Sequence, residues 1–387
     1  MTHHFVDLHI HIGQTHSGKP VKITGSKTLT LTNILKTAKA PKGLDIVGVI
    51  DCHSPEVIQE IEHLLDTGEL LELKEGGLRF QGKVTLIPGV ELEVYDQNCQ
   101  GPIHVLGYFP HLNVLKAFSQ WLSKRVTNIQ LSSQRIYESG IALQKKIKSF
   151  GGLFIPAHVF TPFKSLFGKG VKTSLSEVFD PQFIDGIELG LSSNTEMADG
   201  LKELHYYTYL SNSDAHSLPK IAREYQVMQL DSPSFAAIKK ALHRIGDNKV
   251  IANYGLNPLL GKYYRTTCAT CFSKQEKQQV CPACGSKKFI KGVYERILEL
   301  KTTNKGPIRP PYIHQIPLEF LPGLGPKTLA KLTSHFHTEM NILHDVTEDE
   351  LAKVVNKELA KLIIQARNGE LILSSGGGGH YGKVKRR

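Results

Sequence analysis

Six apolar, largely β-branched runs in the first 216 residues each deliver a histidine or a carboxylate at one end, and this recurrence restricts the possible folds more than any other feature. Asp7-Leu8-His9-Ile10-His11 closes the first run. Alternate residues of a strand point the same way, so Asp7, His9 and His11 share a face. Asp51-Cys52-His53 follows 46–50, Glu91 follows 86–90, and His104 opens 105–108. His158 ends 153–157, and Asp214-Ala215-His216 follows 209–213. Polar side chains are costly to bury without partners, so such a series asks for a shared partner at one sheet edge. Two same-face histidines chelate a divalent ion, and a carboxylate amid imidazoles holds two or three such ions close together. His-x-His alone says little in a chain with 18 histidines; the series carries the argument.

The runs read as strands at 5–10, 45–50, 84–90, 103–108, 153–156, 184–189 and 207–211. Amphipathic helical patterns separate them at 29–39, 55–66, 112–122, 127–149 and 233–243. This alternation predicts an α/β fold of repeated βα units around a mostly parallel sheet or barrel, with the active site at the strands' C-terminal ends.

Beyond about residue 245 the character changes. Residues 1–245 hold 25 Lys+Arg against 24 Asp+Glu; residues 246–387 hold 22 against 12, so nearly all of the net +11 lies in the last third. A neutral front with a basic back suits a catalytic module joined to one that binds a polyanion. Cys268-x2-Cys271-x9-Cys281-x2-Cys284 has zinc-ribbon spacing, and two such pairs favour a structural metal over a redox couple. Lys274, Lys277, Lys287, Lys288 and Lys291 surround it.

Leu321-Pro-Gly323-Leu-Gly325-Pro-Lys327 resembles a helix-hairpin-helix element. In such an element glycines let backbone amides approach a phosphate, and Lys327 adds a charge. It reads backbone rather than bases. Lys262 and Arg265, among Tyr254, Tyr263 and Tyr264, offer further nucleic-acid contacts. The Gly-rich tail from Gly376 to Gly382 is open to two readings, a linker or a docked segment. The expected modules are a phosphoesterase barrel at 1–245, a linker with zinc ribbon at 246–305, and a helical region with a basic tail at 306–387.

No apolar run approaches the roughly 20 residues of a membrane span. The N-terminus lacks a basic stretch followed by an apolar one, so a cytoplasmic, nucleoid-associated protein is expected.

Asp7-Leu-His-Ile-His11, Asp51-Cys-His53, Pro88-Gly-Val-Glu91, His104, His158 and Ser213-Asp-Ala-His216 resemble the successive motifs of the polymerase-and-histidinol-phosphatase (PHP) superfamily. The resemblance covers about 1–245 and implies a distorted (β/α)7 barrel with two or three divalent ions (zinc, manganese or magnesium). It implies His9, His11, Glu91 and Asp214 around one ion, with Glu91 bridging to a second held by His104 and His158. A third would lie at His53 and His216, with His16 as a candidate. Cys52 departs from the usual direct Asp-His step, which leaves Asp51 either as part of the catalytic set with Glu91 and Asp214 or as an orienting group. Asp214 could both ligate and accept a proton from the attacking water.

The full order of barrel, four-cysteine ribbon with one structural zinc, helix-hairpin-helix and glycine-rich tail resembles the endonuclease Q family. That implies nicking of DNA on the 5′ side of uracil, hypoxanthine or xanthine and at abasic sites, with replication or repair proteins as candidate partners. Two other readings compete: a PHP phosphatase acting on small phosphomonoesters, and a nonenzymatic DNA-binding scaffold. The first leaves the basic back end unexplained, and the second leaves the intact His/Asp/Glu series unexplained.

Overall fold

The computed structural model describes residues 1–274, 279–371, 373–374, 376 and 380–384. Lys277, Gly377, Gly378 and Gly379, singled out above, lie outside the described residues.

Seven strands form a ring: β1 (Thr2–Ile10), β2 (Ile46–Val49), β3 (Val84–Val94), β4 (Ile103–Tyr108), β5 (Leu153–Pro156), β6 (Ile187–Glu188) and β7 (Tyr209–Leu210). β1 runs parallel to β2 and β2 to β3, while β4 is antiparallel to β3 and to β5. Backbone bonds from Asp185 N to Phe154 O and from Val159 N to Glu188 O carry the ring on to β6, which pairs parallel with β7. Ala215 then closes it: its N–H donates to His9 O, and its carbonyl accepts from His11 N, each at 3.1 Å.

The ring is mostly parallel, as the alternation suggested, but β4 runs against both of its neighbours. The reason is loop length. Residues 95–102 between β3 and β4 are fewer than the dozen or so that a parallel crossover needs, so the chain turns back on itself. Several strands were not foreseen, and two of them extend the sheet beyond β1. β8 (Tyr225–Leu230) pairs antiparallel with the first half of β1, and β9 (Lys249–Gly255) pairs antiparallel with β8. Their polar residues hid them: Gln226 is buried, and its side chain is used up by Ser211 N, Val6 O and Asn212 Oδ1.

The helices Pro55–Asp66 and Leu112–Leu122 fall where expected, the first with proline in its opening turn, where no N–H partner is lost. The expected helix 127–149 is shorter, Gly140–Ser149. Asn128 Oδ1 takes the Gln130 N–H and so competes with helix formation, Arg135–Ile136 pairs with β3, and Ser139 caps the helix that remains.

Beyond 245 the chain makes the cysteine-bearing segment and then returns to the sheet as β10 (Tyr312–His314), parallel to β9. After the single turn Leu318–Phe320 come four helices, Pro326–Phe336, Glu339–His344, Glu348–Val354 and Lys357–Arg367. They dock on the ring through a buried Lys42–Glu339 ion pair at 2.9 Å and a 2.7 Å contact between Tyr225 Oη and His344 Nε2. Among the described residues no helix is long and apolar enough to cross a membrane.

Candidate metal centre

The strand ends of β1, β3, β4 and β5 converge on one spot. Two groups of ligand atoms form there, His9, His11 and Asp214 in one and Glu91, His104 and His158 in the other. His9 Nε2 and His11 Nε2 each lie 3.4 Å from Asp214 Oδ1. Glu91 stands between the groups. Its Oε1 is 2.9 Å from His104 Nδ1, 3.5 Å from His158 Nε2 and 3.6 Å from His9 Nε2; its Oε2 is 3.7 Å from His11 Nε2.

The donor set fits divalent cations. Nδ1 of His9 faces the Glu188 carboxylate at 2.9 Å, and Nδ1 of His11 faces Asp51 Oδ2 at 3.0 Å, so each ring donates from that nitrogen. Their Nε2 atoms are buried without hydrogen-bond partners. An imidazole nitrogen aimed at a carboxylate oxygen requires a positive charge between them, a proton or a metal ion. Burial alone would pull the His9 ring down, but Glu188, Asp214 and Glu91 outweigh it and raise it to about 10. Burial would push Glu91 and Asp214 up, yet both are held well below the usual range, Glu91 chiefly by His104 and Lys22, Asp214 chiefly by His9 and His11.

Several groups that build this centre escaped the sequence reading. Glu188 accepts from His9 Nδ1, Asn212 Nδ2 and His158 N. The visible sign was a glutamate between Ile187 and Leu189 on a predicted strand. Lys22 places Nζ 3.1 Å from Glu91 Oε2, and Ser133 Oγ bonds the same oxygen. Lys22 sits on a loop, where no periodicity could mark it. Asp7 is buried but turns to backbone N–H groups of His9, Ser213 and Ala222. Gly190, at φ +80°, lets the chain pass behind His158; a Cβ there would fall 2.8 Å from the His158 Cβ.

Asp51 Oδ2 accepts from His11 Nδ1 and Ile12 N, so it stands behind a ring rather than in either group. His53 and His216 are not gathered with His16. His53 Nε2 contacts Leu131 O at 3.3 Å, His216 Nδ1 contacts Asp214 O at 3.0 Å with its ring 4.5 Å from that of His11, and His16 is exposed. Burial, then the nearby His11, lowers His216 to about 4.

The centre opens into a cleft of about 670 Å³ whose lining includes Asp214, His216, Arg223, Lys262 and Tyr381. Lys262 thus reaches the cleft, with Nζ 4.6 Å from the Tyr381 ring centre. Arg265 is engaged elsewhere, paired with Glu295 at 3.1 Å and lying over Tyr294. Gly323, at φ +89°, and Gly325 have open space where a Cβ would stand, and Gly325 precedes the helix that carries Lys327.

The four cysteines of the ribbon converge, with Sγ separations of 3.5 Å for Cys268–Cys284 and 3.6 Å for Cys271–Cys281. A tetrahedron with bonds near 2.3 Å has edges of roughly 3.8 Å, so the spacing fits a zinc–thiolate site and is far too long for disulfides. Backbone N–H groups of Cys271 and Thr270 pull the Cys268 thiol down to about 6, toward the thiolate a metal needs.

No protein-family model matches the chain. It is 55% identical over 383 residues to the uncharacterized protein YqxK of Bacillus subtilis (strain 168), covering 98% of this chain and 99% of that one. Its structure resembles the crystal structure of the lesion-specific endonuclease PfuEndoQ from Pyrococcus furiosus, with a TM-score of 0.85 and 32% identity over 99% of this chain and 95% of that one. It is similarly close to a crystal structure of Endonuclease Q in complex with a 27-mer duplex substrate with an abasic lesion at the active site. There the TM-score is 0.85 and the identity 32%, over 100% of this chain and 97% of that one.

Proposed function

Because the chain belongs to the endonuclease Q family, we propose that it is a metal-dependent DNA endonuclease that hydrolyses the phosphodiester on the 5′ side of a deaminated base or an abasic site. The observation that carries this reading is the meeting of two ligand groups at the buried Glu91, with Asp214 and His158 on the wall of an open cleft that Lys220, Arg223 and Lys262 also line. Its substrates on this reading are duplexes carrying uracil, hypoxanthine, xanthine or an abasic site.

His9, His11 and Asp214 would hold one divalent ion and Glu91, His104 and His158 a second, with Glu91 reaching both. Bound there, the ions supply Lewis-acid polarisation of the phosphate and a water acidified enough to attack near neutral pH. The chain's own groups prepare that step. Glu188 and Asp51 keep the protons of His9 and His11 on Nδ1, which leaves both Nε2 atoms free to ligate. Lys22 adds a fixed positive charge beside Glu91, where negative charge accumulates as the phosphate reacts. Lys262 and Arg223 line the cleft where a DNA backbone enters. The four-cysteine segment would hold one structural zinc, and Gly323, Gly325 and Lys327 would contact undamaged backbone. In this scheme the barrel at 1–245 cuts, while the ribbon at 246–305 and the helices at 306–387 hold the duplex.

The test uses the full-length protein with Mn²⁺ and a labelled duplex carrying one uracil or one abasic site, beside a chromogenic phosphomonoester. A single nick 5′ to the lesion is expected, lost in Asp214→Asn while duplex affinity is kept. Turnover of the phosphomonoester without nicking would overturn the reading.

A further inference from the structure

Asp214 carries its carboxylate on a backbone in the left-handed region, at φ +45°. A side-chain-bearing residue disfavours that region and stays there only when its surroundings fix it. Beside the Ser213 N–H bond to Asp7 and the pairing of Ala215 with β1, one of the groups that fix it is Arg223. Its Nε donates to Ser213 O at 2.6 Å and its Nη2 to Asp214 O at 3.1 Å, so one guanidinium grips both carbonyls of the strained turn. The third side of the fork, Nη1, donates to Tyr381 Oη at 2.8 Å, from a residue 158 positions further along the chain.

Tyr381 is itself held. Gly382 N donates to Leu260 O at 2.9 Å and Gly376 N to Leu259 O at 2.7 Å. A Cβ on Gly382 would fall 2.1 Å from Ser374 O, so the tail reaches this position only with glycine there. The Tyr381 ring packs between Lys262 and Phe320. The tail is therefore docked at the cleft, and its hydroxyl is the group it offers to the barrel's catalytic turn.

We propose that Tyr381 is a positioning residue: by fixing the outer side of the Arg223 fork it holds the 213–214 turn so that the Asp214 carboxylate meets His9 and His11. A planar guanidinium directed at three acceptors has one orientation, whereas with two it can rock about them. The effect on cutting rests on the function proposed above; the effect on metal retention does not.

The experiment compares wild type, Tyr381→Phe and Arg223→Lys as full chains, loaded with manganese in the barrel and zinc in the ribbon so that the two are counted separately. Outer groups of this kind typically alter metal affinity by about 10- to 100-fold. Tyr381→Phe, which keeps the ring contacts, should therefore lose manganese to EDTA about tenfold faster, with zinc content and melting temperature unchanged. Arg223→Lys, which keeps the charge and loses the fork, should do the same or more. Single-turnover nicking of an abasic duplex at saturating protein should slow about tenfold in Tyr381→Phe, with duplex affinity within about twofold. Wild-type rates of both manganese loss and nicking would overturn the proposal. So would weakened duplex binding with an unchanged saturated rate, which would make Tyr381 a DNA contact instead. If wild type itself does not nick, the proposed function fails, and manganese loss alone decides the role of Tyr381.

Discussion

His9 Nδ1 lies 2.9 Å from Glu188 Oε1 and 3.1 Å from Oε2, joining residues 179 positions apart at the base of the cleft. The same carboxylate receives the His158 N–H at 2.8 Å. One side chain thus steadies a histidine in each of the two groups.

Glu188→Gln should weaken metal binding by about 10- to 100-fold, because the amide keeps the shape but removes the charge that orients the His9 ring. Titration of the stripped protein with Mn²⁺ against a competing chelator reads it. Wild-type affinity would show that His9 needs no such partner.

Cys268→Ser should release the ribbon's metal and unfold the segment around 268–284, since a structural metal contributes folding free energy directly. Elemental analysis should find one zinc fewer per chain, and duplex affinity should fall more than manganese content in the barrel. Four reactive thiols in native, unmutated protein would rule out the zinc assignment.

Lys327→Ala should weaken lesion-bearing and normal duplexes alike and lower the slope of log affinity against log salt by about one. Loss confined to the lesion-bearing duplex would move this helix to the damaged nucleotide.

Acid should loosen the junction between the ring and the C-terminal helices. Burial, opposed by Asp345, lowers His344 from 6.5 to about 4. The unfolded chain therefore takes up the proton first. The contribution of neutral His344 is intact above about pH 6.5 and is lost as pH falls toward 4. The melting temperature of His344→Gln should decline less steeply than that of wild type between about pH 7.5 and 4.5. Parallel curves would place the acid sensitivity elsewhere.

The side chains that the structure gathers into two groups were legible because a cation site demands particular residue types at strand ends, and His9, His11, Glu91, His104, His158 and Asp214 all sit there. What orients them was harder to see. Glu188 and Lys22 act through contacts across 179 and 69 positions, and a local pattern holds no information about such distances. Asp51 was visible, but only geometry separates a carboxylate behind a ring from one beside an ion. The helix bounds of 55–66 were readable from Ser54 and Pro55. The antiparallel turn from β3 to β4 was missed because the alternating pattern was given more weight than the short link.

The cysteine-bearing segment leaves the sheet at the end of β9 and re-enters it at β10, the neighbouring strand. It is a closed excursion, tethered at both ends. Should oxidation eject its metal, the segment becomes a slack loop rather than a severed arm, and the entropy of a closed loop grows only slowly with its length. β10 and the helices beyond it keep their own anchors at Lys42 and Tyr225. On the proposed function, damage to the exposed Cys271 and Cys284 would then cost grip on a duplex while sparing the barrel's centre, and resupplied zinc would restore the grip without refolding the rest.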